Sequence, residues 1–181
     1  TVGTQKDTSR TGVEVAEKFD GLYASVGLHP NHLTAMEFDE DEMPVKTRSE
    51  SFDPNYYEVL AKNKKVVAIG ECGLDYYRLP KDADIDGIKA LQKNTFGAHI
   101  DLATKLDLPL IVHCRDAHDD QYAMLESAIR DDKLARRGVI HSFTGSWREA
   151  ERYLGLGFCI GFNGIVTFPP RKGDPEPLAT V

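Results

Sequence analysis

Four apolar runs in this chain each stop at a histidine or a glutamate, and no other feature constrains the fold as strongly. Val66-Val67-Ala68-Ile69-Gly70 stops at Glu71, and Leu108-Pro109-Leu110-Ile111-Val112 at His113. Gly138-Val139-Ile140 stops at His141, and Leu22-Tyr23-Ala24-Ser25-Val26-Gly27-Leu28 at His29. Runs of small and β-branched residues read as strands buried on both faces. Strands of α/β proteins present their chemistry at their C-terminal ends. A carboxylate at such an end is costly unless a cation neutralises it.

Helical patterns fill the intervals. They are expected over about residues 8–19, 56–62, 86–106, 120–129 and 147–156. Val13, Ala16 and Phe19 share one face of the first, and Thr11 with Glu14 forms a candidate capping box. Ile88, Leu91, Leu102 and Leu106 lie along one stripe of the longest. Residues 32–54, with Glu37, Asp39, Glu40, Asp41 and Glu42, read as an exposed acidic loop with a short helix at most. Val2-Gly3 is strand-like, and a last strand is expected over 158–166. The order is strand and helix in alternation with no hairpin signal, so the sheet should be parallel. An open doubly wound sheet gathers ligands at one switch point, whereas a closed barrel brings many strand ends to one centre. Four strands ending in His or Glu favour the barrel.

The 181 residues, 41% hydrophobic and 28% charged, suffice for one sizeable core. They are expected to form a single domain over 1–181 that is part of a larger one. A net charge of −7 argues against coating nucleic acid by bulk electrostatics and leaves a local phosphate site open. Lys62, Lys64 and Lys65, and Lys133, Arg136 and Arg137, read as solvated helix ends. Cys72, Cys114 and Cys159 fall in or just after predicted strands, which suits buried free thiols and a cytoplasmic location. No leader pattern and no membrane-spanning run is present.

Two imidazoles and a carboxylate converging on one point make a divalent-metal site; imidazole suits Zn, and carboxylate adds the hard character that Mg or Mn accept. Glu71, His113 and His141 are the candidate ligands, and His29-Pro30 is either a fourth contributor or a turn. A Glu71 that bridges two cations would let the site clamp a phosphoryl group and supply a hydroxide. Arg78 and Arg115 lie just beyond these positions and either hold a phosphate or anchor loops through ion pairs. Asp75 and Asp116 either orient ligands or bond local turns. Tyr76 and Tyr77 either stack on a base or pack at the rim. His99 reads as a packed or surface helix residue; His32 and His118 fall in loops and carry no signal.

Taken together, Val26-Gly27-Leu28-His29-Pro30, Ile69-Gly70-Glu71-Cys72-Gly73-Leu74-Asp75-Tyr76-Tyr77, Leu108 through Ala117 with its His113-Cys114-Arg115-Asp116, and His141-Ser142-Phe143-Thr144-Gly145 strongly resemble the TatD family of metal-dependent deoxyribonucleases. Gly161 to Phe168 is similar to that family's next strand, so the resemblance runs from about Val2 to Phe168. It implies an α/β, TIM-type (β/α)8 barrel of the amidohydrolase superfamily, with about six of the eight βα units in this chain. It implies metal ligation by Glu71, His113 and His141, and a rim position for His29 against a substrate phosphate or its bound water. The implied cofactor is one or two divalent cations (Mg, Mn or Zn), and the implied reaction is hydrolysis of DNA phosphodiesters. Two family features have no counterpart here: the His-x-His pair of the first strand and the Asp of the last, since Asp174 does not match. Two other functions remain open, a related hydrolase of amide or ester bonds in small molecules and a catalytically incomplete binding module. A basic, phosphate-sized cleft near Arg78 and Arg115 would favour the nuclease.

Overall fold

The computed structural model describes residues 1–40, 43–80 and 83–167. Five helices, α1 (Lys6–Lys18), α2 (Pro54–Ala61), α3 (Ile85–Leu106), α4 (His118–Arg130) and α5 (Trp147–Gly155), alternate with strands β1 (Ala24–Val26), β4 (Val66–Asp75), β5 (Leu110–Arg115), β6 (Gly138–His141) and β7 (Cys159–Ile160). These strands form one sheet in the order β1-β4-β5-β6-β7, with every pairing parallel. Val2 bridges Ser25 in parallel on the other edge of β1, so the strand-like opening of the chain extends the same sheet. Consecutive parallel strands joined by outer helices are a segment of a TIM-type barrel. Ile69, Leu74, Leu110, Val112 and Ile140 of the strands are buried with Phe96, Leu125 and Tyr153 of the helices. Among the described residues no helix is long and apolar enough to cross a membrane.

Helix starts follow their caps. Asp53 accepts from the Asn55 and Tyr56 amides and is followed by Pro54 at the first helical position, which begins α2 two residues ahead of the pattern. Ser146 and Glu149 form a reciprocal capping box at α5. For α1 the box is Gln5 with Thr8 rather than Thr11 with Glu14, and Phe19 caps the helix end exposed rather than sharing the buried face of Val13 and Ala16. On α3 Leu102 is buried and Leu106 packs against the core as expected, Leu91 is exposed, and the buried face also carries Gln92, Phe96, His99, Ile100 and Ala103.

Three further expectations are corrected. Residues 32–54 are not a plain loop, because β2 (Glu37–Glu40) and β3 (Met43–Lys46) pair as an antiparallel ribbon. Acidic residues are depleted in strands, so composition hid it. The last strand is confined to Cys159–Ile160; Gly161 still exchanges bonds with the Ile140 carbonyl and the Phe143 amide, and a 3-10 turn follows over Gly164–Thr167. Cys72 and Cys114 are buried free thiols as expected, but Cys159 is exposed. Several basic side chains at helix ends are solvated as expected, Lys62 pairing with Glu58 and Lys133 with Asp101.

Glycine lets the C-terminal ends of neighbouring strands close up. Gly73 has φ +142°, and a Cβ there would collide with the His113 carbonyl oxygen. The ladder between β4 and β5 shifts register between Ile69 and Cys72, bracketing Glu71. A bulge of this kind re-aims a side chain next to a site.

Candidate metal centre

Glu71, His113 and His29 project into one cleft of about 370 Å³ that Arg78, Arg115 and His141 also line. One ligand atom from each of His29, Glu71 and His113 lies within 4.8 Å of the other two. His113 Nδ1 is 3.3 Å from Glu71 Oε1, and His113 Nε2 is 2.9 Å from Asp75 Oδ2. Asp75, fully buried, therefore holds the far nitrogen of the imidazole and turns the near one toward Glu71. Its other oxygen accepts from the Tyr77 amide (3.0 Å) and the Arg78 amide (2.7 Å). Both roles considered for Asp75 are thus filled by one carboxylate.

The electrostatics follow from the partners. Burial works against a charged His113, but the Asp75 and Glu71 carboxylates outweigh it and push the imidazole up to about 9. Burial would raise Glu71, yet its hydrogen bond to His113 and the neighbouring His29 bring it down to about 2. Two ionised carboxylates around a buried imidazole make a negative field that favours a cation.

His29 is close without being ionic. Its Nε2 lies 3.8 Å from Glu71 Oε1, but burial, followed by the His113 charge, lowers the imidazole to about 3. The contact is therefore one with a neutral ring. The Asn31 amide donates to His29 Nδ1 at 3.2 Å. A neutral imidazole that accepts at Nδ1 carries its proton at Nε2, the nitrogen facing Glu71. So held, His29 is a hydrogen-bond donor to the cleft, and Nε2 has no lone pair for a metal.

His141 ends β6 as the backbone partner of His113 on the adjacent strand. Among the described residues it is not part of the tight three-residue cluster. Arg115 stacks on the Tyr77 ring, 4.2 Å from its centroid, beside the cleft.

Several residues that matter here carry no linear signal. Gln92 of α3 is buried and clamps Asp75 by its backbone, accepting from the Asp75 amide (2.8 Å) and donating to the Asp75 carbonyl (2.9 Å). Its place on the helix face shared with Phe96 and Ile100 was the available clue. His118 begins α4 instead of lying in a loop, with Nδ1 3.3 Å from Cys114 Sγ and 3.1 Å from the Tyr153 hydroxyl. His99 is buried; the Leu28 amide donates to its Nε2 (3.0 Å), and its Nδ1 faces the Thr95 carbonyl (2.8 Å).

The donor set suits a divalent cation. A carboxylate and an imidazole oriented by a second carboxylate form the carboxylate–histidine arrangement of metal sites, here at the strand ends of a TIM-type α/β fold. Residues 1–179 match the family model of the TatD related DNases, and the chain belongs to that family. It is 33% identical over 177 residues to the Bacillus subtilis protein YabD, named an uncharacterized metal-dependent hydrolase, covering 97% of this chain and 60% of YabD. It is 34% identical over 177 residues to the Yersinia pseudotuberculosis protein named 3'-5' ssDNA/RNA exonuclease TatD, again covering 97% and 60%. The crystal structure of Escherichia coli YjjV, a TatD homologue, superposes with a TM-score of 0.71 at 31% identity, over 93% of this chain and 57% of that one. The chain thus spans about 60% of the length of these curated relatives.

Proposed function

We propose that this chain supplies the Glu71–His113 metal centre and substrate cleft of a metal-dependent phosphodiesterase that hydrolyses DNA. The observation that carries the proposal is the convergence of Glu71 and the Asp75-oriented His113 in one cleft with Arg78 and Arg115. Glu71, His113 through Nδ1, and His141 would hold one or two of Mg, Mn or Zn. The bound cation supplies Lewis-acid polarisation of a phosphoryl oxygen and an activated water. Around it the chain's own groups position the substrate. Arg115, steadied against Tyr77, and Arg78 offer guanidinium groups to phosphate oxygens. His29 Nε2–H donates to a phosphate oxygen or to water beside Glu71. Asp75 keeps His113 in the tautomer whose Nδ1 lone pair faces the site. The arginines favour this reading over a small-molecule amide or ester hydrolase, for which an apolar closed pocket is expected.

The reading is tested by hydrolysis of single- and double-stranded oligonucleotides with Mg²⁺ or Mn²⁺, with Glu71→Ala in parallel. Metal-dependent cleavage that falls on the order of a thousand-fold in Glu71→Ala is expected. Metal binding with intact oligonucleotides, alongside turnover of small esters, would move the assignment to the small-molecule class.

A further inference from the structure

The loop from β6 into α5, His141-Ser142-Phe143-Thr144-Gly145-Ser146, carries three hydroxyls with different fates. Ser146 is committed to the fold, its Oγ bonded to Glu149 Oε2 at 2.8 Å in the capping box of α5. Phe143 is buried in the core, while Ser142 and Thr144 on either side of it are part-exposed and both line the cleft. The Ser142 hydroxyl oxygen accepts from Asn163 Nδ2 at 2.7 Å, and Asn163 lines the cleft too. An amide N–H on that oxygen leaves the hydroxyl proton to be donated. Among the described residues Ser142 has no acceptor for it, and the Thr144 hydroxyl makes no hydrogen bond.

The backbone singles out Ser142. It holds φ +50°, the left-handed region that favours glycine. Its neighbours impose this: His141 is paired with His113 in the sheet ladder, and the Phe143 amide donates to the Gly161 carbonyl at 2.9 Å. Glycine would satisfy the same backbone without the steric penalty, so serine keeps a hydroxyl here against a conformational cost. The rest of the cleft wall says what that hydroxyl can bind. Among the described residues Glu71 is the only acidic side chain that lines it. Donors come from four successive strands: Arg78 beyond β4, Arg115 at the end of β5, Ser142 beyond β6 and Asn163 beyond β7. Donors gathered around a cation site with a single carboxylate match the oxygens of an anion.

We infer that the Ser142 hydroxyl donates to a non-bridging oxygen of the phosphate held at the metal centre. The inference rests on the phosphodiesterase reading above and adds a substrate-binding residue to it. Ser142 immediately follows His141, which is the ladder partner of His113, so its side chain stands on the strand-end wall next to the proposed ligands. With its oxygen taken by the Asn163 amide, the hydroxyl presents its proton and not a lone pair to the cleft. It therefore binds an anion's oxygen and is not itself a ligand of the cation.

The test uses Ser142→Gly, which removes the hydroxyl and suits the left-handed backbone; Ser142→Ala serves where Ser142→Gly folds poorly. The thermal midpoint of Ser142→Gly should equal or exceed that of the wild type. Its kcat/KM on a single-stranded oligonucleotide under Mn²⁺ should fall about ten-fold or more, the usual worth of a hydrogen bond to a charged group. Sulfur in place of one non-bridging oxygen of the scissile phosphate, a poor acceptor, separates contact from a merely structural role. In one diastereomer it should slow the wild type about ten-fold and leave Ser142→Gly no slower than before. Activity of Ser142→Gly within about two-fold of the wild type overturns the inference and leaves the nuclease reading standing. So does a sulfur effect of the same size in both proteins. If the wild type cuts no oligonucleotide, the nuclease reading fails, and titration of the Mn²⁺-loaded protein with inorganic phosphate judges the anion contact separately. Phosphate binding about ten-fold weaker in Ser142→Gly then supports it, and equal binding overturns it.

Discussion

His113 lines the cleft and His99 is buried in the core of the same scaffold, and they are driven in opposite directions. His113 lies between two carboxylates, Asp75 at 2.9 Å and Glu71 at 3.3 Å, and is pushed up to about 9. Among the described residues His99 has no carboxylate at hydrogen-bond distance. It receives the Leu28 amide at Nε2, stacks near Phe52 with centroids 3.8 Å apart, and burial lowers it to about 4. Loss of hydration opposes the charged form in both, and the partner sets the outcome. One histidine is the charged partner of two carboxylates; the other is a neutral brace that fixes the backbone leading into His29.

The comparison is broken most directly by pH. The folded-state value of His99 lies below the unfolded value of 6.5, so between them the unfolded chain binds the extra proton. Its stabilising contribution is complete above about 6.5 and is lost as pH falls toward about 4. The loss is roughly 3 kcal/mol, from about 1.36 kcal/mol per pH unit. Urea midpoints measured across this window should drop steeply for the wild type, and His99→Gln should flatten that part of the slope. An unchanged slope in His99→Gln would remove the neutral-brace account.

The His113 side is sharpened by Asp75→Asn. The amide oxygen can still accept from the Tyr77 and Arg78 amides, so the turn persists. Its amide nitrogen, placed against His113 Nε2, would demand the wrong tautomer. Metal affinity should fall about 10- to 100-fold with little change in thermal midpoint. Calorimetric titration with Mn²⁺ beside a melting curve reads both, and a parallel collapse of stability would make Asp75 a structural residue first.

Legibility in the sequence divides along the same line. Glu71, His113, His141 and His29 were readable because a polar residue that ends an apolar run is conspicuous in one dimension, and strand direction places all four at one end of the sheet. The parallel order and the five helices followed from the same alternation. Asp75 was visible only as one of two alternatives, since the bond to His113 crosses from β4 to β5. Gln92 could not be assigned, because its role depends on which way a helix face points after packing. The β2–β3 ribbon was lost behind its acidic residues. His29 shows the remaining limit: proximity groups it with the ligands, and only the Asn31 amide bond to its Nδ1 marks it as a donor.

The central claim is that Glu71 and His113, held by Asp75, form a cation site, and direct measurement of Mn²⁺ binding tests it. Metal-stripped wild-type protein should take up one or two Mn²⁺ per chain. Glu71→Gln should lose that binding while remaining folded, and His99→Gln should retain it. Undiminished Mn²⁺ binding by Glu71→Gln, or none by the folded wild type, would contradict the account.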